Sequence, residues 1–171
     1  MRKLVLHIIL CFVLDTAHAQ TTPSYQVKAA FIYNFTQFVE WPANAFSSNN
    51  APFVIGVLGP DPFGAYLDQL VEGEKVNGHP ITVKNFTDPE DAGKCHILFI
   101  NAQNMHEVIR ALGNRSILTV SDNESFTRNG GMIRFFTENN KIRLEINPAA
   151  ARTCNLEISG KLLRIAKIAD R

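Results

Sequence analysis

Phe53-Val54-Ile55-Gly56-Val57-Leu58-Gly59-Pro60-Asp61-Pro62-Phe63-Gly64 is an apolar run that halts at a glycine and turns through two prolines. Six consecutive residues without a polar side chain predict a strand over 53–58 that is buried on both faces. Asp61 ahead of Pro62 predicts the N-cap and first turn of a helix running to about Val71. Phe63, Leu67, Leu70 and Val71 recur at helical spacing and face inward. A doubly buried strand that feeds a helix is the opening unit of a layered α/β domain.

Downstream segments repeat that unit. Residues 81–85, 96–101 and 116–120 read as strands, and 105–112 as a helix. The alternation predicts an α/β fold, a mainly parallel sheet flanked by helices. The end of the chain departs from it. Residues 132–137 and 141–146 flank Glu138-Asn139-Asn140 and predict a C-terminal β-hairpin, preceded by Gly130-Gly131 where backbone must approach closely. A short helix follows over 148–152. A terminal helix over about 159–169 turns Leu162, Leu163, Ile165, Ala166 and Ile168 inward. Its Lys161, Arg164 and Lys167 face solvent near the helix C-terminus, where cations are favoured.

Upstream, V-K-A-A-F-I-Y-N-F-T-Q-F-V-E-W-P over 27–42 predicts a helix over 24–40. Val27, Phe31, Phe35 and Phe38 share one face, widened by Ile32, Val39 and Trp41, and that face is expected to cover the sheet. Lys28, Gln37 and Glu40 carry its polar character. Trp41-Pro42 ends it, because proline cannot extend the ladder and biases its predecessor toward extended geometry.

Residues 1–19 read as an export signal: Arg2-Lys3, an apolar core over 4–14, and the A-x-A site Ala17-His18-Ala19. The remainder, 20–171, has the length of one domain. Removing the signal takes away Arg2, Lys3 and Asp15 and leaves a formally neutral chain, with no basic field to hold nucleic acid. The apolar core of the signal is too short for a permanent bilayer span, so no integral membrane segment is expected after cleavage.

Cys95 and Cys154 survive cleavage in a compartment that permits a disulfide. Three readings stay open for them: a regulatory disulfide, a structural staple, or two buried free thiols. Their spacing fits no zinc pattern. His79, His96 and His106 lack H-x-x-x-H or H-E-x-x-H spacing, and no serine sits in a G-x-S-x-G elbow. The turn 59–64 lacks G-x-G-x-x-G, and its prolines remove backbone donors. The reading is therefore of a binding protein with no catalytic, metal or cofactor residues. Gly59, Asp61, Asn101, Ser121 and Asp122 would share the rim at the carboxyl ends of the strands, a candidate ligand or partner rim. Capping is the commoner role of such Asp and Ser residues.

Taken in order, V-I-G-V-L-G-P-D-P-F-G at 54–64, C-H-I-L-F-I at 95–100, I-L-T-V-S-D at 117–122, G-G-M-I-R-F at 130–135 and K-I-R-L-E-I-N-P-A-A-A-R at 141–152 resemble the YfiR family of small exported proteins. The opening helix agrees. The resemblance implies a periplasmic regulator that binds and inhibits the sensor portion of a membrane-bound diguanylate cyclase, lowering cyclic di-GMP and disfavouring biofilm. It also implies redox modulation, with Cys95 at a family cysteine position, and allows a homodimer. Leu156, Ile158, Leu162 and Leu163 are candidates for the partner surface, in a segment read as partly core and partly partner surface with core as the default. The alternative is a periplasmic small-molecule-binding module feeding a sensor histidine kinase or another membrane receptor.

Overall fold

The computed structural model describes residues 21–169; the export signal expected over 1–19 lies outside the described residues. In chain order the elements are α1 (Pro23–Phe38), β1 (Val39–Glu40), β2 (Phe53–Leu58), α2 (Ala65–Val71), β3 (Lys75–Val76), β4 (His79–Phe86), β5 (Ile97–Ile100), α3 (Met105–Leu112), β6 (Leu118–Ser121), β7 (Ile133–Glu138), β8 (Lys141–Ile146), α4 (Pro148–Thr153), β9 (Glu157–Ile158), α5 (Gly160–Ile165) and β10 (Lys167–Ile168). One sheet holds eight strands in the order β10-β8-β7-β6-β5-β2-β4-β3. From β4 to β7 its neighbours run parallel. β7 and β8 form the expected antiparallel hairpin, β3 pairs β4 antiparallel, and β10 lies parallel to β8. β1 and β9 make a separate antiparallel pair, Val39 opposite Ile158.

The run that opens β2 behaves as its composition requires. Its six positions are buried. Phe53, Ile55 and Val57 enter the core shared with α1 and α2, while Val54 and Leu58 enter the core beneath α3. Each such side chain contributes about 1.5–3 kcal/mol over leaving it in water. Gly131 lies against the Phe126 ring, where a Cβ would not fit.

Three elements differ from the sequence reading. α1 buries Lys28, Ala29, Ile32, Phe35 and Thr36, so its core face is rotated away from Val27, which is 46% exposed. The rotation follows from an ion pair that draws Lys28 inward, described below. α2 starts at Ala65; the Asp61 carboxylate instead accepts from the Phe63 N–H at 2.8 Å, holding a turn ahead of the helix. The terminal helix stops at Ile165 after six residues. Ala166 is extended (φ −105°, ψ 153°), and Lys167–Ile168 joins the free edge of β8, with the Ala169 N–H donating to the Ile146 carbonyl at 2.8 Å. An open strand edge offers more hydrogen bonds to these residues than a fraying helix end does.

Candidate functional site

The carboxyl ends of β2, β5 and β6 bring the five rim residues to one side of the sheet, and each is engaged there. Gly59 has φ +91°, and a Cβ would run into the Asn101 carbonyl. The Asn101 side-chain amide donates to the Pro60 carbonyl at 2.7 Å. The buried Ser121 hydroxyl donates to the Ile100 carbonyl at 2.7 Å. Asp122 accepts from the Lys28 ammonium at 2.7 Å and from the Tyr25 hydroxyl at 2.8 Å. The rim therefore closes strand ends and docks α1.

The α1 contact is an apolar plug around a buried charge. Tyr25, Phe63 and Phe99 pack edge to face, with Tyr25–Phe63 centroids 5.6 Å apart and Phe63–Phe99 4.8 Å apart. The Lys28 ammonium lies 4.0 Å from the Tyr25 ring centroid. Burial works against the Asp122 carboxylate, but the hydrogen bonds from Lys28 and Tyr25 and the Lys28 charge hold its pKa below the ordinary value. Burial and Asp122 push the Tyr25 phenol up to about 12.

Cys95 and Cys154 are free and buried, so the disulfide that the sequence left open is not formed here. They sit in different packed clusters. Cys95 lies with Leu98 and Ala92 beneath α3, and Cys154 packs with Ala151 and Leu156 in the other core. Burial pushes the Cys95 thiol up to about 12, which suppresses thiolate chemistry. His96 packs against Phe46 and Phe53, at centroid distances of 4.4 and 4.6 Å, and its Nδ1 accepts from the Val54 N–H at 3.0 Å. It is a core histidine.

Of the four candidate partner-surface residues, Leu156 and Leu162 are core and Ile158 and Leu163 are half-buried. Leu156 and Leu162 are only 1% and 2% exposed, and Ile158 and Leu163 pack against the same core. Pairing of β9 with β1 pulls that segment inward. The exposed apolar side chains of this region are Ile165 and Ile168, at 65% and 45%. They flank the turn into β10, the outermost strand of the sheet. The sequence reading missed them because a helix through residue 169 would have turned both inward.

The other side of β10 is clamped by charge. Glu145 is buried; its carboxylate accepts from the Thr127 hydroxyl at 2.6 Å and Arg134 Nε at 2.9 Å, and lies 3.4 Å from the Lys167 ammonium. The Arg134 hydrogen bond is the main reason its pKa falls from 4.5 to about 2. Burial lowers His96 from 6.5 to about 4. Both groups bind protons more readily in the unfolded chain, so both make stability fall with falling pH. The urea midpoint should be flat near neutrality, decline from about 6.5 toward 4 through His96, and decline further below 4.5 through Glu145 together with Asp122. Glu145→Gln should shrink the lower step to the Asp122 share and leave the upper step unchanged, which acid titration of the midpoint measures.

The sequence profile of the YfiR/HmsC-like family matches residues 25–167. The chain belongs to the YfiR/HmsC-like family. The match runs from the Tyr25 of the α1 plug to the Lys167 of β10, so it takes in both the docked helix and the clamped edge of this YfiR/HmsC-like chain. The family is one of periplasmic regulators. A solved structure, a conserved domain protein from Vibrio cholerae O1 biovar eltor str. N16961, is similar with a TM-score of 0.51 and 15% identity. The likeness covers 85% of this chain and 60% of that one, and it shows shared fold alone. A comparison with curated proteins finds no match. No helix among the described residues is long and apolar enough to cross a membrane.

Proposed function

We propose that the protein is a periplasmic regulator that binds the sensor portion of an inner-membrane signalling protein, a diguanylate cyclase, and holds it inactive. The observation that carries this reading is the exposed pair Ile165 and Ile168 beside the open edge of β10. An open strand edge supplies backbone donors and acceptors to an incoming chain, and flanking apolar side chains supply the buried area that gives affinity. Lys167, paired to Glu145 on the neighbouring strand, holds that edge in register. Any redox control of the contact would have to act through Cys95 or Cys154, and both thiols need local opening before they meet an oxidant.

Co-purification with the periplasmic domain of a membrane cyclase tests the reading. Ile165→Asp/Ile168→Asp should weaken capture at least about tenfold, as expected for loss of central apolar contacts, and leave thermal stability near wild type because both side chains are exposed. A variant that binds like wild type would reject this edge as the contact. Absence of a complex with the wild type under both oxidising and reducing conditions would reject the function.

A further inference from the structure

The sheet changes its direction of winding between β2 and β5. From β2 the chain leaves toward α2, whose Leu67 and Val71 lie in the core that α1 covers. From the adjacent, parallel β5 it leaves toward α3, whose Met105, Val108 and Leu112 lie in the opposite core. Neighbouring parallel strands with exits to opposite faces leave a crevice outside their carboxyl ends, the general ligand position of open α/β sheets.

One half of that crevice is filled by the Tyr25–Phe63–Phe99 plug and by the Asn101 bridge to Pro60. The other half, on the α3 side, is a cavity of about 410 Å³ between the end of β2, the loop after β4 and α3. That volume lies within the roughly 300–1,000 Å³ typical of small-molecule sites. Leu58, Ala102 and Val108 give it an apolar wall. The ionisable side chains along it are Asp88, Glu90 and Glu107, with no lysine or arginine among its lining residues. None of the three carboxylates is in an ion pair among the described residues. The apolar wall would exchange its water for a hydrocarbon body, and the carboxylates along it favour a cation over an anion, with the Arg115 cation nearby held on the Ala111 carbonyl at 3.2 Å.

We propose that this crevice binds a small organic cation, an amine carried on a compact apolar body. The inference stands apart from partner docking, because β6, β7 and β8 separate β5 from the β10 edge.

Amide shifts of the ¹⁵N-labelled protein under titration with cyclohexylamine test it, with cyclohexanol and cyclohexanecarboxylate as the neutral and charge-reversed probes. The amine should give saturable shifts centred on Gly59, Ala102 and Val108. The carboxylate should give none. Glu90→Gln/Glu107→Gln replaces two exposed charges, so it should fold normally; it should weaken the amine about three- to tenfold and leave cyclohexanol unchanged. No saturable shift with the amine, equal binding of the carboxylate, or shifts centred away from the crevice would overturn the proposal. A protein that binds the amine without capturing a membrane partner refutes the docking reading alone, and the reverse result refutes the crevice alone.

Discussion

Phe35→Ala should lower the unfolding free energy by about 3–5 kcal/mol, the range for truncating a fully buried aromatic ring. Phe35 is wholly buried and stacks on Phe135 of β7 with centroids 6.1 Å apart and planes 17° from parallel. Phe31 leans on both rings, at 6.4 Å from Phe35 and 6.0 Å from Phe135. Removing the fully buried ring of this trio leaves a void between helix and sheet that neighbours fill only in part. Val27 supplies the internal control. It lies two turns earlier on the same helix yet is 46% exposed, so Val27→Ala should change stability by no more than about 0.5 kcal/mol. Urea unfolding of the two variants decides whether the helix is rotated as described. Equal losses would favour a core face centred on Val27 and Phe31.

Asp122→Ala should cost about 3 kcal/mol, by a different route. It leaves the ammonium of Lys28, a residue only 8% exposed, without its carboxylate and deprives the Tyr25 hydroxyl of its acceptor. The loss reflects a stranded charge more than the worth of the pair. Lys28→Met/Asp122→Leu, which removes both charges while keeping bulk, should therefore return to within about 1 kcal/mol of wild type. A double variant as unstable as Asp122→Ala would show that the pair itself, and not the uncompensated charge, holds α1 to the sheet. Because the first turns of α1 lie over the strand ends, Asp122→Ala should also speed amide exchange in that helix ahead of the rest of the molecule.

The two variants mark the boundary between what periodicity reveals and what it does not. β2 and β5 are legible because a strand buried on both faces needs an unbroken apolar run, whatever lies beside it. The β7–β8 hairpin is legible because its register depends on a local turn, where Asn139 and Asn140 take positive φ. The rotation of α1 is not legible. A lysine in a helix reads as solvent-facing until a carboxylate 94 residues away is known to meet it.

The candidate site divides in the same manner. The rim residues were found, since strand ends followed by Asp, Asn and Ser are a local pattern, and the tertiary structure then used them as caps and struts. The open half of the crevice was not found beyond Gly59, because its wall comes from the β4–β5 loop and α3, brought together only by the order of strands in the sheet.

By itself the chain's order of apolar runs determined the layered α/β architecture, the hairpin, and a family whose profile covers residues 25–167. Those features rest on interactions close in sequence or on burial of a whole strand. Tertiary structure alone decided that Cys95 and Cys154 sit in different packed clusters, that Leu156 and Leu162 are core, and that Ile165 and Ile168 are exposed. The physical reason is competition for β8. Its free edge draws Lys167 and Ile168 out of the helix their spacing suggests, and no local pattern can report that a distant strand has an unpaired edge.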